Sequence, residues 1–326
     1  MLRLPPFQYV RPGTLHEAVG ILASEGGKAV LMAGGTDLLP RMKHRVAALE
    51  VVVAIRALRE LRGIWGDPRQ GLVIGAASTL AEVCSHPAIR QGYEVLSLAA
   101  AQVATPQIRN MGTIGGNLCL DTRCSYYDMP YTWRKAMGFC LKKNGDTCLV
   151  APGSTRCWAV SSSDLAPVLM ALDGRVRLVG PRGERVVPVE ELYRDDGIRY
   201  LNKEPAEILT EVLLPPLDGW KAAYWKVRRR GSFDFPVLSL AVAVRQDEGG
   251  HIADARLILG AVRSSPLRVR EAEEALRGEK LEPGIMEVVC ELASRAARPV
   301  ENTDFTVLWR KRMVKVFLRR ALGTFA

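Results

Sequence analysis

The chain has 326 residues, 48% of them hydrophobic and 25% charged, with a mean hydropathy of +0.02. Those proportions exclude a disordered or fibrous polypeptide, and the length suffices for two or three domains that need no disulfide scaffold. Lys and Arg number 45 against 35 Asp and Glu, a formal charge of +10, which suits nucleic acid, an acidic protein partner or a solvated surface alike.

Met1 to Val10 holds Pro5 and Pro6 and lacks the apolar core of a secretory signal, so the expectation is a cytoplasmic protein, or one that travels only with a partner carrying the signal. Leu15 to Ser24 has helical spacing and stops before Gly26-Gly27; Lys28 to Met32 then reads as a short buried strand, broken by Gly34-Gly35. Thr36 or Asp37 is placed to cap a helix over Leu38 to Lys43. Strands are predicted at Leu49 to Ile55 and Gly71 to Ala76, and helices at Thr79 to Cys84 and Val95 to Val103. Thr105 to Pro167 is irregular and rich in Gly, Asn, Asp and Cys. A hairpin pairs Arg175–Val179 with Arg185–Val189, and a strand at Leu209–Leu214 ends at Pro215-Pro216, the domain boundary. Beyond it lie strands at Ala222–Arg228, Val237–Arg245 and Ala255–Ala261, then helices at Arg268–Leu276, Pro283–Ala297 and Thr306–Leu322. The longest apolar stretch, around Val237–Val244, falls far short of the roughly 20 residues of a membrane span. The fold class is α+β, with an α/β N-terminal part.

Basic residues are spread out except at Arg228–Arg230 and in the last helix, and the aromatics form no stacking array, so no nucleic-acid partner is expected. The cysteines are more telling. Five of seven, Cys119, Cys124, Cys140, Cys148 and Cys157, fall within 39 residues, whereas Cys84 and Cys290 read as buried small hydrophobes. In a reducing compartment such a cluster points to metal or redox chemistry. Spacing alone does not choose between zinc and an iron–sulfur cluster, since both accept four thiolates and C-x-x-C pairs are absent.

Two glycine loops, Ala33-Gly34-Gly35-Thr36-Asp37 and Gly112-Thr113-Ile114-Gly115-Gly116-Asn117, would bring bare backbone amides near an anionic group. Neither fits the Rossmann or P-loop pattern, and a tight turn is the alternative for each. Asp164 can equally cap a helix starting at Leu165, and Lys226 can be a solvated edge residue.

Together Ala33–Leu39, Gln107–Asn117, Ser163–Pro167 and the region of Lys226 resemble the FAD-binding medium subunit of the molybdenum hydroxylase (xanthine dehydrogenase) family. The resemblance implies a two-part FAD-binding domain of the PCMH/vanillyl-alcohol-oxidase type over 1–216. A C-terminal antiparallel sheet with helices, of the CO dehydrogenase flavoprotein type, would fill 217–326. It implies that Leu31, Met32, Ala33, Gly34, Gly35, Thr36, Asp37 and Leu38 line one side of FAD, and Thr113, Gly115, Gly116 and Asn117 the other. Asp164 would meet the adenosine end, and Leu209 and Lys226 the flavin end.

Asn117 and Asp164 are 47 positions apart, against about ten in most of that family, so 118–160 reads as an inserted, functional loop. Asp121-Thr122-Arg123-Cys124, Cys140-Leu141-Lys142, Cys148 and Arg156-Cys157 resemble the β subunit of 4-hydroxybenzoyl-CoA reductase. That resemblance implies a 4Fe-4S cluster on Cys124, Cys140, Cys148 and Cys157, with 15, 7 and 8 residues between them; Cys119 is the spare, or competes with Cys124. Lys226–Arg230 and Asp234-Phe235-Pro236 follow the same subunit, although a solvated loop explains the arginine run equally well. The implied partners are a large molybdenum-cofactor subunit and a small 2Fe-2S subunit, as a dimer of heterotrimers fed by ferredoxin. The competing expectations are an oxidising hydroxylase or aldehyde oxidoreductase of the same family, and a zinc-stabilised assembly protein without redox activity.

Overall fold

The computed structural model describes residues 2–47 and 49–326. Strand β1 (Gln8–Val10), helix α1 (Leu15–Glu25), β2 (Ala29–Met32), α2 (Leu38–Lys43) and β3 (Val51–Ala54) make a small α/β unit. Its strands run parallel in the order β1-β3-β2. Thr14 caps α1 by accepting from Glu17 N, and Gly26 at φ +55 ends it. Strand β3 is buried at every position, because α1 packs on Val51 and Val53 while Leu38 and Met42 of α2 cover Val52. Burial on both faces is why it reads as an unbroken apolar run.

Strands β4 (Ile64–Asp67) and β5 (Gly71–Gly75) open a second sheet. There follow α3 (Leu80–Ser85), α4 (Pro87–Gly92), α5 (Glu94–Ala101), α6 (Pro106–Arg109), α7 (Ile114–Leu118), α8 (Tyr131–Ala136) and α9 (Leu165–Ala171). The chain then rejoins the sheet as β6 (Arg175–Gly180), β7 (Gly183–Pro188) and β8 (Ile208–Leu214), giving the antiparallel order β4-β5-β8-β6-β7. The stretch expected to be irregular holds α6, α7 and α8, each too short to leave a periodic signature. Strands β1 and β4 and helix α4 also escaped the sequence for want of length.

The C-terminal part is an antiparallel sheet of β9 (Trp220–Val227), β10 (Leu238–Gln246), β11 (Ile252–Gly260) and β12 (Leu267–Arg268), ordered β12-β11-β10-β9. Helices α10 (Arg270–Leu276), α11 (Pro283–Ala296) and α12 (Val307–Leu322) cover one face, over Leu240, Val242 and Val244. The other face, with Tyr224, Ala241, Ala243 and Ile258, joins the main core through α9, which is buried at every position. The two parts therefore share one helix as their joint. Arg310, at the head of the basic helix α12, is fully buried and bridges the carbonyls of Val237, Val300 and Ala261.

Gly20 lies exposed in mid-helix of α1, and a Cβ built there meets nothing within 4 Å. Gly20→Ala is expected to stabilise the protein by about 0.5–1 kcal/mol, since alanine loses less backbone freedom on folding. A denaturant midpoint that stays put or falls would refute this.

Candidate functional site

Strand β2 delivers the chain into the first glycine loop, and Leu31 and Met32 stand half-buried just before it. Gly35 has φ +72, and a Cβ on Gly34 would lie 1.9 Å from the Met111 carbonyl oxygen, so this loop is pressed against the chain entering the second. The backbone N–H groups of Gly34, Gly35, Thr36, Asp37 and Leu38 find no acceptor among the described residues. A half-open cradle of unpaired donors suits a diphosphate, so the residues present fit FAD.

The second loop is built differently. Thr113 caps α7 by accepting from Gly116 N at 3.1 Å, while Gly115 N and Asn117 N donate to Ala76 O and Thr113 O. A Cβ on Gly115 would come within 2.8 Å of the Ala76 side chain. These glycines let α7 pack closely on the end of β5, and their amides are already engaged. Asn117 is buried, and its Oδ1 accepts from Ser163 Oγ at 2.8 Å and Leu165 N at 3.2 Å.

Asp164 sits at the N-cap position of α9 without making a capping bond. Asn117 and Ser163 serve that end, and Asp164 accepts instead from Tyr224 Oη at 2.8 Å and Lys226 Nζ at 3.0 Å. Lys226 is on edge strand β9, yet its side chain is fully covered and donates also to Gln102 O. Burial pushes the Asp164 carboxyl up and the Lys226 ammonium down, each against the attraction of the other. Leu209 of β8 lies in the main core.

The inserted segment begins and ends at a neck where Arg123 and Val160 exchange backbone hydrogen bonds of 2.8 and 2.7 Å. Cys124, Cys140, Cys148 and Cys157 are all buried and line one small cavity with Tyr126, Tyr127, Leu141, Lys142, Leu149, Val150 and Ala159. Cys119 lies apart, against the main core. Near Cys140 the chain doubles back tightly: Gly138, Phe139 and Asn144 have positive φ, and the Cys140 carbonyl accepts from Lys143 N and Gly145 N. Burial pushes the Cys124 thiol up to about 12 and the Cys157 thiol upward too. Such thiols give up their protons when a cation offsets the negative charge. Among the described residues no three His, Cys, Asp or Glu side chains are grouped as one metal ion requires; tetrahedral zinc would set its sulfurs about 3.8 Å apart.

A charged network joins this cavity to the cradle. Asp37, expected as a helix cap, makes no capping bond; its carboxylate pairs with Arg123 and lies 3.9 Å from Arg41. Arg41 in turn meets Asp121 and donates to Tyr127 Oη at 3.0 Å. Asp121 also receives Lys142 Nζ at 2.7 Å and Tyr127 Oη at 2.8 Å. Burial would raise the Asp121 carboxyl, but Lys142 and Arg41 outweigh it and hold it below the ordinary range. Arg123 stacks 3.8 Å over the Phe235 ring, which gives the Asp234-Phe235-Pro236 motif a contact. In the arginine run, Arg228 donates to Gln102 O, whereas Arg229 and Arg230 are exposed and pair with Asp304 and Asp234. Arg134 is buried and donates to the His44 and Arg45 carbonyls, docking α8 on the end of α2. Sequence reasoning assigned no role to Arg41, Asp121, Arg123 or Lys142, although it singled out the motifs that hold the last three.

Fold and site together define a two-domain flavoprotein. Residues 5–217 match the model of the FAD binding domain in molybdopterin dehydrogenase, and residues 222–325 that of the CO dehydrogenase flavoprotein C-terminal domain. The chain belongs to the FAD-binding medium subunits of the molybdenum hydroxylase (xanthine dehydrogenase) family, and is thus a subunit of an oxidoreductase complex. It is 32% identical to the aldehyde oxidoreductase FAD-binding subunit of Escherichia coli K12, covering 97% of this chain and 98% of that one. It is 30% identical to the nicotinate dehydrogenase FAD-subunit of Eubacterium barkeri, over 95% and 92% of the two chains. Carbon monoxide dehydrogenase from Hydrogenophaga pseudoflava, in a form lacking the Mo-pyranopterin moiety, superposes with a TM-score of 0.81 at 28% identity, over 98% and 97%.

Gly34→Ala drives a methyl into the Met111 carbonyl and separates the two loops. It is expected to lower FAD affinity by about tenfold or more, as each 1.4 kcal/mol of lost binding does. Gly153→Ala, where a Cβ meets nothing within 4 Å, serves as control and keeps its flavin. Equal flavin content in the two purified variants would refute the cradle assignment.

Proposed function

We propose that this chain is the electron-relay subunit of its complex, holding FAD at the Gly34–Leu38 cradle and a 4Fe-4S cluster on Cys124, Cys140, Cys148 and Cys157. The observation that carries this reading is the convergence of those four buried thiols on one cavity, linked to the cradle through Arg123 and Asp37. When bound, FAD takes one or two electrons and the cluster one, so one-electron carriers are matched to two-electron chemistry.

In this reading Leu31, Met32 and Ala33 flank the cradle. Thr113, Gly115, Gly116 and Asn117 shape its second wall, and Asp164, Leu209 and Lys226 border the adenosine and flavin ends. The FAD-binding domain spans 1–216, with 118–160 as the cluster loop, and the C-terminal domain spans 217–326. A large molybdenum-cofactor subunit and a small 2Fe-2S subunit complete a dimer of heterotrimers, in which the substrate is bound outside this chain. Among the described residues no helix is long and apolar enough to cross a membrane.

On direction, the names of the relatives favour oxidation of an aldehyde or a heteroaromatic acid, with electrons leaving through this subunit. The resemblance of the cysteine segment to the β subunit of 4-hydroxybenzoyl-CoA reductase favours a second reading: reductive dehydroxylation of that thioester, with ferredoxin feeding electrons in.

Anaerobically purified complex should contain about four irons with acid-labile sulfide and one FAD for each copy of this chain. Cys140→Ser should remove the cluster's EPR signal after dithionite reduction, and Cys119→Ser should leave it. Zinc in place of iron would overturn the cluster reading, and absence of flavin the relay. Turnover of aldehydes or nicotinate against 4-hydroxybenzoyl-CoA then separates the two directions.

A further inference from the structure

Lys142 lines the thiolate cavity two residues after Cys140, and its side chain is only 6% exposed. Its ammonium donates to Asp121 Oδ1, to the hydroxyl and carbonyl oxygens of Thr122 and to Gly197 O. It stands 4.4 Å from the Tyr127 ring centroid and 5.6 Å from that of Tyr200. None of its hydrogen bonds goes to a cysteine sulfur, so it acts on the thiolates as a fixed charge and not as a donor. Asp121 is the carboxylate that Lys142 shares with Arg41, whereas Arg123 has both Asp37 and Asp128. Arg41 also faces Asp37, so the three cations of this network (Arg41, Arg123 and Lys142) are matched by three carboxylates (Asp37, Asp121 and Asp128), and Lys142 is the cation among them that lines the cavity. Burial leaves that charge poorly screened by water or salt.

We propose that Lys142 is a positioning charge that sets the reduction potential of the cluster site: its ammonium favours the reduced state, and Asp121 tempers that effect. The inference rests on reading the four cysteines as cluster ligands. Reduction adds one electron, from a one-electron donor such as dithionite, to a centre already anionic from four thiolates. A fixed cation nearby lowers the free energy of the reduced state more than that of the oxidised one. The same contacts make the buried lysine tolerable, because its protons all find acceptors.

The test is an EPR-monitored redox titration of the whole complex carrying Lys142→Met, Lys142→Arg or Asp121→Asn, with iron and FAD measured in each. Lys142→Met should lower the midpoint potential by about 59 mV or more, a tenfold change in the one-electron equilibrium constant. Lys142→Arg keeps the charge and should keep the potential, and Asp121→Asn should move it upward. Opposite signs in Lys142→Met and Asp121→Asn are the signature that mere loosening of the loop would not produce. If Lys142→Met fails to assemble, the upward shift of Asp121→Asn against an unmoved Lys142→Arg carries the test. Iron-replete variants whose potentials do not move, or move in the same direction, overturn this inference alone. An unsubstituted protein without iron overturns the cluster reading and the inference with it.

Discussion

Asp37 and Asp121 each hold two cations, and through them the inserted segment is fastened to the glycine cradle. Partners so far apart in sequence, 86 residues for Asp37 and Arg123, meet only because α2 presents Asp37 and Arg41 on the side where the neck of the insert emerges. Ion pairs removed from water recover their desolvation cost only when every remaining donor and acceptor is used. Asp121 satisfies its own side of that condition, since Lys142 and Tyr127 donate to its two oxygens and Arg41 joins them, whereas the buried Nε atoms of Arg41 and Arg123 have no partner among the described residues. Taking out one member of such a set typically costs about 3–5 kcal/mol, because the others stay buried with charge uncompensated. The network is thus a poor source of stability in general and a strong source of position.

Position is what the insert needs. Closing a connection as long as the 47 positions from Asn117 to Asp164 is cheap, because loop-closure entropy grows only slowly with length. Fixing each of its residues costs about 1–2 kcal/mol more, and here that cost dominates. The buried apolar core of the insert is small: Val46, Tyr127 and Ala159 gathered around Cys124, Cys140 and Cys157. Its order comes from the neck, from Arg134 on the end of α2, from the Asn302 amide on the Trp158 carbonyl, and from the Ser264 hydroxyl on the Cys157 carbonyl. Lys142, in the interior of the loop, adds a hydrogen bond to the Gly197 carbonyl beyond it.

How much of this the sequence discloses depends on range. Helices α1 and α12 and strands β8 and β10 announce themselves because their signals, spacing and stop residues, are local. The glycine pairs are visible as loops, but their reasons differ: Gly34 yields to the Met111 carbonyl and Gly115 to Ala76, and neither partner is near in sequence. The grouping of Cys124 with Cys140, Cys148 and Cys157, and the separate place of Cys119, follow a motif resemblance that spacing by itself leaves open. Asp37 and Asp164 both look like helix caps. Each stands at the N-cap position and spends its carboxylate on a distant cation instead, Arg123 or Lys226, because long-range charge pairing leaves no periodic trace.

The two sites are also linked by their charge. Asp37 places a carboxylate in the cradle whose unpaired amides suit an anion, and alone it would repel a diphosphate. Arg123 and Arg41 cancel that repulsion, and Arg123 comes from the neck of the insert, one residue before Cys124. The residue before Cys124 therefore offsets the Asp37 charge beside the unpaired amides. Phe235 under the Arg123 guanidinium brings the C-terminal domain into the same arrangement. Cradle, insert and C-terminal domain thus meet at one arginine, whose guanidinium touches Asp37, Asp128 and the Phe235 ring together.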